Sequence, residues 1–237
     1  MSDAKFRRIF RITRRNVTKL LDMIEPYLSQ GNSSNGMSIK PIERLLVFLY
    51  WSGSGSSSLH MGYAHDMAEG TIWECIDSII DVLYDVVVPQ LIQLPDENEA
   101  RRQANLFHDK SRGFPRIVFG AIDGTHVRVS SSRQVPSYLT SRCRLLVSID
   151  FYPFFLQINP PHAWRAECIN RKNTHSINVM VLAGANHKIF ACSTKQCGSM
   201  HDARVFHQSK LYQLLSTGQY MPFPGAIIIG DQGYPVS

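Results

Sequence analysis

The chain has 237 residues, of which 44% are hydrophobic and 19% are charged, and its net charge is +6. These are values of a folded globular protein, so they exclude a largely disordered chain, and no apolar run approaches the roughly 20 residues of a membrane span. The amino terminus is basic and lacks the apolar stretch of a secretory signal. Five widely spaced cysteines without a C-x-x-C pair argue against a zinc or disulfide framework and predict reduced thiols.

The charge is unevenly distributed along the chain. Residues 1–44 carry nine Lys or Arg and four Asp or Glu, residues 45–100 carry nine acids and no Lys or Arg, and residues 101–237 carry sixteen basic and six acidic residues. Two basic blocks around an acidic one favour an anionic partner that meets the ends of the chain. The alternative is ordinary solubilising charge.

Residues 1–95 are predicted to form an α-helical domain. Apolar residues recur at helical spacing in four stretches: 17–24 after Thr13, 41–52 beginning at Pro41, 59–65, and 72–88 before Pro89. Threonine caps helices well and proline is favoured in a first helical turn, so Thr13 and Pro41 both suit the start of a helix. Four helices of these lengths can bury one small core.

A helix-turn-helix-like segment is expected around residues 63–76 of this domain. Its acids Asp66, Glu69 and Glu74 would repel DNA phosphates. The preferred interpretation is therefore a helical bundle that braces the rest of the chain or contacts another protein. The basic residues Arg7, Arg8, Arg11 and Arg14 are the stronger DNA-binding candidates.

Residues 114–237 are predicted to form an α/β domain. Buried-strand patterns occur at 117–122, 177–182, 189–192 and 226–229, and an amphipathic helix is expected at 202–215. Strands followed by a helix and a further strand indicate an α/β sheet.

Two of these strands are expected to end in an acid flanked by glycine, in the segments AIDGTH (121–126) and IIGDQGY (228–234). Acids at the carboxyl ends of neighbouring strands lie where open sheets place their sites, and carboxylate oxygens suit Mg²⁺. A D-G or G-D dipeptide also makes turns, and by itself the turn is the more common explanation.

Four sequence blocks carry a resemblance to a known family. They are FPRIVFGAIDGTHVRV (114–129), INRKNTHSINVMVLAG (169–184), GSMHDARVFHQSKL (198–211) and IIIGDQGYP (227–235). In this order they resemble the PIF/Harbinger transposase family. The resemblance implies an RNase H-like mixed sheet after a helical domain with a helix-turn-helix, a DDE triad of two Asp and one Glu, and DNA cleavage in the nucleus with Mg²⁺ or Mn²⁺. The cytoplasm is a further expected location.

The resemblance also implies roles for individual residues. Asp123 matches the first family carboxylate and Asp231 the second, which makes them the catalytic and metal-binding candidates. Asp202 matches another recurrent acid that would join the metal site, or it caps a helix, which Asp does well.

Neighbouring polar residues are further candidates. Arg171 and Lys172 would contact DNA phosphates, or they are a solvated pair. His126 and His175 would orient a phosphate, or they form hydrogen bonds within the fold.

The chain departs from the family in two ways. The third acid, a Glu on a helix after the second Asp, has no counterpart before Ser237, so the polypeptide is expected to be inactive and poorly stable. The stretch between Asp123 and Asn170 is longer than in the family, and the surplus falls at 135–157. This segment is interpreted as translated intron, with a genuine apolar insertion as the alternative.

These observations predict a metal-dependent DNA endonuclease or transposase, truncated after the second acid. The alternative is a non-catalytic descendant that binds DNA or protein. DNA is the expected partner, together with a second DNA-binding protein or a further copy of the chain, and no membrane.

Overall fold

The computed structural model describes residues 1–28, 39–111, 113–128 and 168–234. The described chain divides into two compact units, one up to Leu91 and one from Ile92 onward. The suspected intron segment, 135–157, lies outside the described residues. Within the described ranges, no helix has the length and apolar content needed to cross a bilayer.

The first unit is helical. Its described helices are α1 (Asp3–Phe10), α2 (Arg14–Leu28), α3 (Pro41–Ser54), α4 (Ser58–His65), α5 (Glu69–Val82) and α6 (Val88–Leu91), with one π-helical turn (Leu83–Val87) between the last two. Hydroxyl side chains cap three of them: Ser2 accepts from Lys5 N, Thr13 from Asn16 N, and Ser57 from His60 N.

The core of this unit lies between α2, α3 and α5. Ile24, Leu45, Ile72, Ile76 and Ile79 are fully buried there. They recur at helical spacing, so each helix buries one apolar stripe. The helical stretches read from the sequence are therefore present.

Two features of the first unit differ from expectation. Helix α1 was not predicted, and α2 runs through Pro26 to Leu28. Pro26 is exposed and only two residues from the last helical residue. The carbonyl that loses its hydrogen bond there can reach water, so the proline does not stop the helix.

The second unit is a mixed sheet with helices on both faces. Its described elements are α7 (Glu97–Ser111), β1 (Val118–Arg128), β2 (Ser176–Ala183), β3 (Ile189–Cys197), α8 (Asp202–His207), α9 (Lys210–Ser216) and β4 (Ile227–Ile229). The strand order is β3-β2-β1-β4. The β1–β2 and β2–β3 pairs are antiparallel, and β4 is parallel to β1.

Each face of the sheet has its own core. On one face Ile122, Met180, Leu182 and Phe190 pack with residues of α8 and α9. On the other face Phe119 packs with Ala100 and Ala104 of α7 and with Phe223. Since side chains alternate along a strand, Phe119 and Ile122 fall on opposite faces. The predicted α/β class is confirmed in this form.

Three features of the second unit differ from expectation. Strand β1 does not end at Asp123 but continues to Arg128, because antiparallel pairing with β2 extends to Ser176. The predicted helix 202–215 is broken at Ser209, whose side chain caps α9 by accepting from Tyr212 N. Helix α7 was not predicted.

Replacing a buried residue of α5 tests the first core. Ile76→Ala should lower the free energy of unfolding by about 2–5 kcal/mol, because it leaves a cavity at a fully buried position. Urea denaturation followed by circular dichroism measures this. Tyr63→Ala is the control, since that side chain is 81% exposed. Equal losses in the two variants would contradict the described packing.

Candidate acidic active site

The parallel pairing of β1 with β4 sets the positions of Asp123 and Asp231. Ala121 pairs with Ile229, and each acid follows its strand residue by two positions. Adjacent strands lie about 4.8 Å apart. The two acids therefore occupy equivalent positions on neighbouring backbone segments, just beyond the last parallel strand pair. Both acids are exposed.

Both acids make only local hydrogen bonds among the described residues. Asp123 Oδ1 accepts from Gly124 N at 2.7 Å, and Asp231 Oδ1 accepts from Gly233 N at 2.9 Å. Each carboxylate keeps further oxygen lone pairs for a ligand. The turn formed by Asp231 and Gly233 fits the alternative that the sequence left open, without excluding a metal role.

Asp202 reaches the same region from α8. It is the first residue of that helix, and its Oδ1 accepts from Asn178 Nδ2 at 2.7 Å. A methyl group added to Gly124 would lie 2.9 Å from the Asp202 carboxylate carbon, so the carboxylate covers this glycine. His201, rather than Asp202, is the N-cap residue of the helix, and it makes no side-chain cap hydrogen bond. The capping alternative for Asp202 is therefore wrong.

The Tyr234 hydroxyl is a common neighbour of the three carboxylates. Burial raises the pKa of this phenol, and the charges of Asp202, Asp123 and Asp231 raise it further. Its oxygen is buried and has no hydrogen-bond partner among the described residues. Tyr234 thus lies near three acids that come from separate segments of the chain.

Three carboxylates are chemically suited to bind a divalent cation, but these three are too far apart to form a ready-made site. Within the described residues, no three His, Cys, Asp or Glu side chains form a group that could hold a metal ion. Side chains alternate along β1, so Asp123 points to one face of the sheet, whereas Asp202 lies over Gly124 on the other face. This alternation explains the separation of Asp123 from Asp202. Carboxylates also repel one another. Asp123, Asp231 and Asp202 are the residues that would hold the ion.

A basic loop, residues 169–175, lies beside the acids. Asn170 Oδ1 organises it by accepting from Lys172 N, Thr174 N and Thr174 Oγ1 at 2.9–3.2 Å. Arg171 Nη2 contacts His201 Nδ1 at 2.6 Å, which places a guanidinium next to the residue before Asp202. Arg171 and Lys172 are both exposed. The structure therefore brings Arg171 to the acidic site.

The two candidate histidines differ in their surroundings. His126 Nδ1 contacts Ser176 Oγ at 3.1 Å, and Ser176 Oγ also accepts from Asn170 Nδ2 at 2.9 Å. His126 thus forms a hydrogen bond within the fold, as one of the two alternatives had it. His175 forms an isolated bridge with Ile169 at the base of the basic loop.

The amino-terminal arginines of the first unit do not form a uniform surface. Arg7 and Arg8 are exposed on α1. Arg14 instead pairs with Asp3 at 2.9 Å and lies over the Phe6 ring at 4.3 Å. Arg11 is the left-handed C-cap of α1 and donates to Gly53 O at 3.4 Å.

Sequence reasoning did not identify Asn178, Tyr234 or His201 as site residues. Asn178 is a polar residue inside the apolar run INVMVL, which is a usable signal for a buried polar role. Tyr234 follows the second acid within the block IIGDQGY. His201 carries no such signal, because its importance arises only from its contact with Arg171.

The unpartnered hydroxyl of Tyr234 leads to a stability prediction. In buffer with EDTA, Tyr234→Phe should leave the free energy of unfolding unchanged or raise it by about 1 kcal/mol, because it removes a buried polar atom without a partner among the described residues. Tyr220→Phe is the matched control. Its hydroxyl donates to Pro95 O at 2.8 Å, so its loss should cost about 1 kcal/mol. Similar losses in both variants, measured by urea denaturation, would show that Tyr234 has a partner.

Comparison with known proteins gives one family and one set of relatives. Residues 154–237 match the family described as DDE superfamily endonuclease. The candidate nuclease HARBI1 of Rattus norvegicus is 23% identical over 99% of this chain and 57% of its own length, and that of Homo sapiens is 20% identical over the same shares. HARBI1 of Xenopus laevis is 22% identical over 84% of this chain and 48% of its own length. No solved structure matches the chain.

The chain spans about half the length of these relatives. The matches confirm the resemblance carried by the four sequence blocks. Residues 154–237 are thus similar to the DDE superfamily endonucleases, and most of the chain is weakly similar to the nuclease HARBI1.

Proposed function

We propose that the second unit is a divalent-metal-dependent endonuclease domain that acts on the phosphodiester backbone of DNA. The observation that supports this most directly is the equivalent placement of Asp123 on β1 and Asp231 just after β4, which pairs with β1 in parallel. Asp202, like these two acids, is near enough to Tyr234 for its charge to raise the pKa of that phenol. Endonucleases of the DDE superfamily use divalent metals, and nuclease relatives imply a DNA substrate.

Each part of the site has a distinct role in this proposal. Asp123 and Asp231 hold Mg²⁺ or Mn²⁺ through carboxylate oxygens, and Asp202 completes the acidic set. When bound, the ion activates water and neutralises the developing charge on the phosphodiester. Arg171 and Lys172 contact the phosphates next to the scissile bond and orient the strand.

The sheet supports the finer proposal of an RNase H-like fold. Three antiparallel strands are followed by helices and by a strand that returns parallel to β1. In this connection Asp231 follows a strand that is hydrogen-bonded to β1, the strand of Asp123, which supports the proposal. Strand transfer, nuclear location, a second DNA-binding protein and a further copy of the chain are parts of the same proposal, implied by the transposase resemblance.

The second candidate function is non-catalytic binding of DNA or protein. The absence of a preformed three-ligand group in the described residues favours it. The two candidates differ in whether a cation binds at Asp123 and Asp231, and in whether DNA approaches that cation.

Cation binding is the first test. Isothermal titration of the chain with Mn²⁺ should detect a site, and Asp123→Asn or Asp231→Asn should weaken it by more than the roughly 10–100-fold that loss of an outer contact costs. Asp85→Asn is the control, since Asp85 is an exposed acid of the first unit. Equal Mn²⁺ affinity in all four proteins would contradict the proposed site.

The approach of DNA to the ion can be tested without turnover. Iron(II) loaded in place of Mn²⁺, with ascorbate and peroxide, generates hydroxyl radical at the metal site. Backbone breaks in bound DNA should then depend on Asp123 and Asp231 and not on Asp85. A chain that binds DNA without such breaks would support the non-catalytic alternative.

Exposed arginines of α1 are proposed to bind DNA non-specifically. Arg7→Ala with Arg8→Ala should weaken binding to any duplex and reduce the salt slope by roughly one unit per lost phosphate contact. Arg14→Ala should change the slope less, because its guanidinium already pairs with Asp3. Fluorescence anisotropy at several salt concentrations measures both. Identical slopes in the wild type and the double variant would exclude these residues.

A further inference from the structure

Asn178 is a buried amide in the middle of β2 and is 1% exposed. Its Nδ2 donates to Asp202 Oδ1 at 2.7 Å and to Met200 O at 3.0 Å. Both partners are acceptors, so the reversed amide orientation would place oxygen against oxygen. The orientation of the side chain is therefore determined, and both of its donors point at the segment that begins α8.

Gly124 also lies against the Asp202 carboxylate. It pairs with Met180 on β2, one alternation from Asn178, and so shares a sheet face with both. A Cβ at position 124 would lie 2.9 Å from the Asp202 carboxylate carbon and 3.2 Å from Asn178 Oδ1. The Asp202 carboxylate is thus bound by the Asn178 amide and occupies space that a side chain at position 124 would fill.

Burial of Asn178 Oδ1 costs free energy that no hydrogen bond among the described residues offsets. It is a buried acceptor without a hydrogen-bond partner there. A leucine of similar size would avoid this cost and would match Met180 and Leu182 on the same face. A polar group retained at such a position indicates a specific task.

We infer that Asn178 is a positioning residue that, with the space above Gly124, holds the Asp202 carboxylate toward the cation site. This inference rests on the proposed function. Asparagine suits the task because its two donors bind a carboxylate and a backbone carbonyl at once. Aspartate would repel Asp202, and serine has a single donor.

The contact itself is tested without metal. In EDTA, Asn178→Ala should lower the midpoint of thermal unfolding in the wild type and lower it less when Asp202 is already alanine, since the two residues interact. Gln196→Ala is the control. It pairs with Asn178 across β2 and β3 and should be additive with Asp202→Ala. Additive losses for Asn178 and Asp202 would overturn the inference.

The positioning role is tested with Mn²⁺. Asn178→Ala and Gly124→Ala should each weaken Mn²⁺ binding by about 10–100-fold, while Gln196→Ala leaves it unchanged. The inference would be overturned if Asp202→Ala weakens Mn²⁺ binding and Asn178→Ala leaves it unchanged. If Asp202→Ala leaves the Mn²⁺ affinity unchanged, the proposal that Asp202 belongs to the metal site fails. The unfolding experiment still decides whether Asn178 holds the Asp202 carboxylate.

Exchanging the two residues separates charge position from hydrogen bonding. The double variant Asn178→Asp with Asp202→Asn keeps one amide and one carboxylate in contact, so its thermal midpoint should exceed that of Asn178→Asp alone. Its Mn²⁺ affinity should stay low, because the carboxylate now lies on β2. Recovery of Mn²⁺ binding by the exchange would show that only the hydrogen bond matters, against the inference.

A separate observation concerns Cys168 and Cys197, whose sulfur atoms lie 2.8 Å apart. Cys168 O accepts from Ser176 N at 2.8 Å at the base of the basic loop, and Cys197 is the last residue of β3, paired with Ile177. The contact between these two sulfur atoms therefore brings together the loop that carries Arg171 and the segment that leads to His201. The sequence, with its scattered cysteines, predicted only reduced thiols.

The geometry points to a reversible disulfide between Cys168 and Cys197 that fixes the basic loop beside α8. The oxidant is a low-molecular-weight disulfide such as oxidised glutathione. Cys197, which is partly exposed, attacks it as a thiolate and releases one glutathione thiol. The Cys168 thiolate then attacks the mixed disulfide at Cys197 and releases the second, so two protein thiols are oxidised and one disulfide is reduced to two thiols.

Alkylation after equilibration with glutathione buffers tests the pair. At high ratios of oxidised to reduced glutathione, mass spectrometry should find a peptide linked through Cys168 and Cys197, and dithiothreitol should reverse it. Cys192→Ser is the matched control, since burial raises the pKa of the Cys192 thiol to about 11 and leaves it unreactive. Full alkylation of Cys168 and Cys197 under these oxidising conditions, or linkage through other cysteines, would overturn the proposal.

Discussion

Asp123 and Asp231 are neighbours because β4 hydrogen-bonds to β1 in parallel, with Ala121 opposite Ile229. Strand β4 has only three residues, so its position depends on packing as much as on hydrogen bonds. Ile228 contacts the cores on both faces of the sheet. A one-residue shift of this strand would move the second acid away from the first, and the rest of the acidic site would lose its centre.

The same face of β2 changes from apolar to polar along its length. Leu182 and Met180 belong to the core beneath α8 and α9, whereas Asn178 and Ser176 continue the face toward the site. Asn178 binds Asp202, and Ser176 binds Asn170 of the basic loop. One strand thus carries part of the core, the amide that binds Asp202 and the base of the basic loop, so core packing and the geometry of the candidate site are coupled through it.

The two units divide the charge between them. In the first unit, acidic helices follow the basic amino terminus, whose arginines are exposed but not all without ion-pair partners. Arg14 is already paired with Asp3, whereas Arg7 and Arg8 are exposed. A count of basic residues therefore overstates the surface available to DNA, because short-range ion pairs use part of it.

The sequence by itself determined the helical and α/β halves and most of the elements, because apolar periodicity is a local signal. It also singled out the three acids through the four family blocks, and their role stays a prediction. Helix α7, the continuation of β1 past Asp123 and the break at Ser209 escaped it, since they depend on partners distant in the chain. Only the tertiary structure brought Asn178 to Asp202 and Arg171 to His201. Such contacts join separate strands and loops, and the physical reason they form is the pairing of β1, β2 and β4, which no local pattern encodes.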